Sequence, residues 1–268
     1  MSKAHDYPLI KVVRSLFPSR RAAFYVGILF VGAGFFSPFI LLDNKGLAEQ
    51  QAGPNSGDGA KGKIEFSEMR YDFGFIAPNG VFAHTFIAKN VGKGVLNIIK
   101  IDPTCGCTTV PITKAFLKPG EEVRIRVNFN SKNITGKVAK RIKVLSTDPE
   151  DAASDLYITG IVGQEPRMVT IDGPQVRFNQ IDIQNRQIQI TSRSAKKDMT
   201  LTILPMSDDF LRATLSSQTL GPGNTSTLTL SLVQKPPLGE YASSVTVECA
   251  ADSTERFSIP ITGIGYAR

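Results

Sequence analysis

Beyond residue 63 the chain is patterned for strands. The segment VRIRVNF sends Val123, Ile125, Val127 and Phe129 to one face and Arg124, Arg126 and Asn128 to the other. That is the period of two of a half-buried β-strand. TSTLTLSL repeats it, with Leu228, Leu230 and Leu232 in phase. Similar runs occur at residues 70–75, 81–89, 95–101, 138–145 and 156–161. No stretch after Leu42 carries a helical period over three turns. Short strands separated by Gly, Pro, Asn and Asp predict an all-β chain built as two-sheet sandwiches of the immunoglobulin-like kind.

The pattern also repeats. Pro119-Gly120 returns as Pro222-Gly223, Gly136 as Gly239, and Thr159-Gly160 as Thr262-Gly263, each 103 residues on. Three anchors at one offset predict a duplicated module, the first over residues 64–163 and the second over residues 164–268.

Ahead of the strands the pattern changes to an apolar run. Residues 22–42 (AAFYVGILFVGAGFFSPFILL) are uncharged for 21 positions, long enough to cross a hydrocarbon core of about 30 Å as a helix. Gly27, Gly32, Gly34 and Pro38 suit such a helix better in lipid than in a soluble core. Small residues at Gly46-Leu47-Ala48 are compatible with signal-peptidase cleavage, but the run exceeds the usual 7–15 residues of a signal peptide, which favours an uncleaved signal anchor. Residues 43–63 are polar and rich in glycine. They read as a flexible tether with a reach of roughly 25 Å.

Charge locates the chain rather than its ligand. Of the formal +7, residues 1–21 carry +4 through Lys3, Lys11, Arg14, Arg20 and Arg21 against Asp6. A basic tail before an apolar span predicts a cytoplasmic N-terminus, a single pass through the inner membrane at residues 22–42, and periplasmic modules. Residues 64–165 hold only +2 and the remainder +1, with no Trp in the chain, so a nucleic-acid footprint is not expected.

The first module carries Asp72-Phe73-Gly74, a strand through Phe86 ending at Asn90-Val91-Gly92, then Leu96, Cys105-Gly106-Cys107-Thr108 and Pro119-Gly120. In that order and spacing, residues 64–163 resemble the bacterial domain of unknown function 1573 family, which is similar in fold to the immunoglobulin-like modules of the ASH, MSP and hydin group. The resemblance implies an exported, envelope-associated module with no established activity. The second module departs from it: Met206-Ser-Asp-Asp-Phe210 stands where the Cys-Gly-Cys lies, and Asp-Phe-Gly has no counterpart.

Candidate chemistry is confined to a few residues. Cys105 and Cys107 leave an extended backbone on the same face, with Gly106 permitting a tighter bend. Three readings follow: a local disulfide or a pair of buried thiols, a disulfide open to thiol exchange, or a two-thiolate copper(I) site. Zinc fits poorly because it wants four ligands and histidine is scarce. His84, in phase with Phe82, Phe86 and Ala88, reads as a hydrogen-bonded core residue, and Cys249 as a small buried thiol. Asp148-Pro-Glu-Asp151 reads as a hairpin turn rather than a calcium loop. Glu121-Glu122 and Asp208-Asp209 point to opposite faces if they lie in strands.

No nucleophile elbow, His-Glu-x-x-His, Walker loop or dinucleotide fingerprint is present. The expectation is a membrane-anchored binding or scaffolding protein of the cell envelope, not an enzyme and without a cofactor, whose partner is another envelope protein. The alternative is a thiol-based copper(I) or redox protein using Cys105 and Cys107.

Overall fold

The computed structural model describes residues 59–111, 114–178 and 185–266. The basic tail, the apolar run at residues 22–42 and the tether up to residue 58 lie outside them. Among the described residues no helix is long and apolar enough to cross a membrane.

The described chain is all-β. Its first half runs β1 (Ile64–Phe66), β2 (Arg70–Ile76), β3 (Val81–Asn90), β4 (Leu96–Pro103), β5 (Thr108–Thr109), β6 (Phe116–Leu117), β7 (Glu122–Asn130), β8 (Gly136–Ser146) and β9 (Ala153–Val162). The second half runs β10 (Val169–Asp172), β11 (Val176–Phe178), β12 (Asn185–Ser192), β13 (Met199–Ile203), β14 (Leu211–Leu215), β15 (Thr219–Leu220), β16 (Thr225–Leu232), β17 (Gly239–Ala250) and β18 (Thr254–Gly265).

The halves share one pairing scheme. A four-stranded sheet ordered β1-β3-β7-β5 in the first half is answered by β10-β12-β16-β14 in the second. The remaining strands of both halves join one long sheet, β15-β13-β17-β18-β2-β9-β8-β4-β6, with β11 also on β18. Turns repeat as well. Glu121 N–H donates to Lys118 O at 3.0 Å across Pro119-Gly120, with Gly120 at φ 80°. Asn224 N–H donates to Gly221 O at 3.1 Å across Pro222-Gly223, with Gly223 at φ 67°. Proline at the second position and left-handed glycine at the third make both type II turns.

Each half encloses its own core between a four-stranded sheet and its share of the long one. The first contains Phe73, Phe82, Phe86, Ile125, Val127, Phe129, Ile142 and Leu156; the second contains Ile190, Leu201, Leu228, Leu230, Val245, Val247, Phe257 and Ile259. Val123, Ile125, Val127 and Phe129 are all buried, as the alternation of VRIRVNF requires.

The end of the tether differs from the sequence reading. Residues 60–63, assigned there to a flexible segment, are docked on the turn before β4. Lys93 and Gly94 N–H both donate to Lys61 O, at 3.1 and 3.0 Å, and Val91 N–H donates to Lys63 O at 2.9 Å. Gly62 fits because it has no Cβ, which would come within 2.8 Å of Leu96. Small residues on both sides let two backbones meet, a property that composition reads as flexibility.

A β-bulge joins the halves. Asp72 pairs with Thr159 and Phe75 with Ile161 on β9, with a register shift between them. Gly74 occupies that shift at φ 65°, its N–H donating to Asp72 Oδ1 at 2.9 Å. The bend swings Phe75 into pairing with Phe257 of β18. A Cβ on Gly74 would lie 2.0 Å from Arg256 O, so only glycine permits this approach.

Candidate functional site

Cys105 and Cys107 occupy the loop that crosses from one sheet of the first half to the other. On entry, Thr104 N–H and Oγ1 both donate to Arg141 O of β8. Thr108 N–H then donates to Cys105 O at 3.2 Å, and Asn130 N–H of β7 donates to Cys107 O at 2.8 Å. The two cysteines are joined by a disulfide, with their Cα atoms 5.3 Å apart. Both are half-buried, and Cys107 packs against the first core while Gly106 is exposed. Because the sulfurs are bonded to each other, the thiolate pair needed for copper(I) exists only after reduction. Among the described residues no group of three or more His, Cys, Asp or Glu side chains is placed to hold a metal ion.

Cys107 also lines a cleft of about 430 Å³ between the halves. Val81, Gly106, Thr109, Asn128 and Asn130 form the first-half wall; Arg177, Glu240, Tyr241, Ala242, Thr262, Gly263 and Ile264 form the other. Asn128 Oδ1 and the hydroxyl of Tyr241, whose side chain belongs to the second core, are buried without a hydrogen-bond partner. Burial raises the Tyr241 phenol above its ordinary pKa.

Beside the cleft the halves are fastened by polar contacts. The Arg126 guanidinium donates to both carboxylate oxygens of Asp208, at 2.5 and 3.1 Å, and to Ala242 O. Ser243 Oγ donates to the same carboxylate at 2.5 Å, and Arg124 donates to Ser207 O. Further along, Tyr71 OH donates to Thr246 Oγ1 at 2.8 Å; Thr246 Oγ1 lies 2.7 Å from Ser258 Oγ, which donates to Phe73 O at 2.8 Å. Burial is the main cause raising the Tyr71 phenol pKa.

The other singled-out residues have structural partners. His84 stacks on Tyr71 with ring centroids 3.6 Å apart, and its Nε2 lies 2.8 Å from Glu68 Oε1. Cys249 is free and buried in the second core; burial first, then the charges of Glu255 and Glu248, pushes its thiol up to about 12. Asp148 closes its own turn, accepting from Glu150 N–H at 2.8 Å and Asp151 N–H at 3.3 Å, and also accepts from Ile64 N–H of β1 at 2.8 Å. Burial opposes ionisation of this carboxyl, but the three N–H groups together outweigh it and hold the group below its ordinary value. Asp208 lies in a turn before β14, not in a strand, so the opposite-face argument does not govern it.

The fastening between the halves went unread in the sequence. Strand alternation assigns Arg126 and Asn128 to solvent, because it sees a single buried face. A signal was present on β3, where Ala83 and Thr85 occupy the supposed polar face and are buried. Small residues there mark a sheet covered on both sides.

With its sheet order and cores described, the protein falls in the class of immunoglobulin-like β-sandwich proteins. Residues 64–162 match the model of the family described as protein of unknown function (DUF1573). No curated protein matches the chain in sequence. Among solved structures it is similar to a protein of unknown function from Porphyromonas gingivalis W83, at 12% identity and a TM-score of 0.32, covering 74% of this chain and 98% of that one. It is also similar to an ASH/PapD-like domain of human CEP192, at 11% identity and a TM-score of 0.33, covering 44% of this chain and 97% of the other. A third is the periplasmic chaperone SfaE, at 10% identity and a TM-score of 0.31, covering 75% and 99%.

Proposed function

We infer that this chain is a membrane-tethered scaffold: two copies of one immunoglobulin-like module, derived by duplication, held outside the cytoplasmic membrane by residues 22–42 to bind another protein of the cell envelope. The observation that carries the reading is the junction. The Gly74 bulge, the Arg126–Asp208 pair and the shared sheet bring the modules together and form a cleft between them. Binding rather than turnover is supported by how the candidate reactive groups are engaged. Cys105 and Cys107 are bonded to each other, Cys249 is buried as a thiol, and His84 is stacked and hydrogen-bonded.

The test is capture from crosslinked membranes with the full chain as bait. A discrete envelope protein should co-purify at a fixed ratio. Recovery of no partner, together with a normal envelope after deletion of the gene, would sink the scaffold reading.

A second reading has one observation in its favour: the Cys105–Cys107 disulfide closes a very small ring, and one of its sulfurs belongs to a residue lining the cleft. After reduction it would present two thiolates to copper(I) or to exchange with a partner's thiol. Metal analysis of anaerobically purified protein beside a Cys105→Ser/Cys107→Ser variant separates the readings. Stoichiometric copper lost in the variant supports the second; metal-free protein with an inert disulfide supports the first.

A further inference from the structure

Thr108 follows the disulfide directly, in β5, and is only 3% exposed. Its hydroxyl lies 3.5 Å from Cys105 Sγ and 4.0 Å from Cys107 Sγ, and among the described residues it has no other hydrogen-bond partner. A disulfide sulfur carries no hydrogen, so the hydroxyl is the donor. While the sulfurs are joined that bond is weak, because neutral sulfur is a poor acceptor. Reduction changes the balance. A Cys105 thiolate would accept the same hydrogen in a charge-assisted bond, about twice as strong as a neutral one. The buried donor is therefore better satisfied in the reduced loop than in the closed one, and stabilising the dithiol makes its disulfide a stronger oxidant. A cation stands close by: Lys140 Nζ is 5.9 Å from the centroid of the Phe129 ring, and Phe129 is the β7 residue paired with Thr108. Positive charge favours a thiolate. The two sulfurs are not equivalent. Cys107 packs against the first core, where apolar surroundings disfavour a thiolate, whereas Cys105 lies outside that cluster.

We propose that Cys105–Cys107 is an oxidising disulfide that takes two electrons from a pair of thiols on a partner protein, with Cys105 the sulfur that forms the mixed disulfide and Thr108 the residue that positions its thiolate. The proposal rests on the second reading above, thiol exchange, and assigns its direction and its residues. In the first step a partner thiolate attacks Cys105 Sγ. The bond to Cys107 breaks, and its electron pair goes to Cys107 Sγ, which takes a proton and stays a neutral thiol at the edge of the core. In the second step the partner's other thiolate attacks the partner sulfur of the mixed disulfide. Cys105 leaves as a thiolate and receives the Thr108 hydroxyl hydrogen. The partner's two thiols have then become a disulfide, and the loop holds one thiol and one thiolate. Of the two protons lost by the partner's thiols, one is balanced on Cys107 and the other goes to solvent. Thr108 touches no substrate; it acts through Cys105 as a positioning residue.

The test uses the full chain in detergent micelles with glutathione as the thiol probe. Two single variants separate the sulfurs. Cys107→Ser leaves Cys105 free and Cys105→Ser leaves Cys107 free, and the first should form its mixed disulfide with oxidised glutathione about tenfold faster or more. Cys249, buried in the second core, should stay unmodified in both. The role of Thr108 is read from the equilibrium between disulfide and dithiol in glutathione redox buffers. Thr108→Val, which keeps the shape and removes the donor, should shift that equilibrium about tenfold towards the disulfide, the worth of one hydrogen bond to a charged group. Thr108→Ser restores the donor and should return it to within about twofold of wild type, a rescue that a purely structural role would not give. A faster Cys107, an unshifted Thr108→Val, or equal shifts in the valine and serine variants would overturn the assignment while leaving exchange itself standing. A wild-type disulfide that glutathione does not open in the folded chain would overturn the assignment and the exchange reading together.

Discussion

In the first half, the loop crossing between the sheets is stapled to itself by Cys105 and Cys107; 103 residues on, the second half has Asp208 and Phe210 in those places. Phe210 packs edge-on against Tyr241, with ring centroids 5.2 Å apart, and Asp208 reaches across to Arg126. One loop is closed by a covalent bond, the other by an aromatic plug and an ion pair to the neighbouring half. The strand at the junction differs too: β2 has seven residues and a glycine bulge, whereas among the described residues β11 has three and pairs only with β18. The first half therefore supplies the strand that reaches outward, and the second supplies the edge it meets. The halves differ at the surfaces where they touch, while their sheet order and turns are alike.

The sharpest way to break that asymmetry is at Gly74. Valine there combines a left-handed backbone with a Cβ driven into Arg256 O. The expected loss is about 3 kcal/mol or more, read from the urea midpoint of the full chain. Gly106→Ala, whose added methyl would meet nothing within 4 Å, should be close to neutral. Equal midpoints for both variants would mean that the junction does not support the fold.

Next comes the anchoring of each half's first strand. Asp148 receives Ile64 N–H before β1 proceeds, and Glu255 receives Met168 N–H, at 2.9 Å, just ahead of β10. Both carboxylates belong to the region of the β8–β9 or β17–β18 hairpin, though not at repeat positions. Asp148→Asn sets an amide against the N–H groups that the carboxylate receives and should cost about 2–3 kcal/mol at neutral pH. The sign follows from the depressed folded-state pKa. The stabilisation is fully present above the unfolded value of about 3.9 and is lost as pH falls through the lower folded value. Wild type should therefore lose stability in acid more steeply than Asp148→Asn. Parallel pH profiles would remove Asp148 as the anchor.

The ion pair between the halves should have a smaller effect. Arg126 and Asp208 are largely shielded, with side chains 27% and 12% exposed, so a double-mutant cycle with alanine should give a coupling of about 1–3 kcal/mol. Lys197 and Asp252, paired within the second half but 64% and 77% exposed, should couple by about 0.5 kcal/mol or less. Similar couplings for the two pairs would show that the halves separate freely in solution.

How much of this was legible follows from what each signal measures. Alternation reports which side of a strand is apolar, so it found the cores through Val123, Ile125, Val127 and Phe129. Gly-Pro punctuation reports local φ, so it found the repeated turns. Neither reports a polar face covered by polar partners. Arg126, Asn128 and Tyr71 acquire their roles from residues at least 82 positions away in the chain, or from a cleft that only packing creates. Asp72-Phe73-Gly74 was legible as a motif but not as a joint, because a bulge is a register relation between two strands.

The smallest expected effect belongs to the staple itself. Closing a loop of three residues restricts the unfolded chain only a little, about 1–2 kcal/mol on the chain-entropy view. Cys105→Ser/Cys107→Ser, which makes the first crossing loop as unlinked as the second, should lower the urea midpoint by that much and abolish its response to reductant. The third cysteine keeps the experiment clean. With its thiol pKa pushed up to about 12 inside the second core, Cys249 is neutral and shielded at pH 8. Iodoacetamide applied to reduced, folded protein should therefore alkylate Cys105 and Cys107 and spare Cys249, as peptide mapping would read. Labelling of Cys249 in the double-serine variant but not in wild type would show that the staple does more than close its own loop: it would be holding the second half shut from across the cleft.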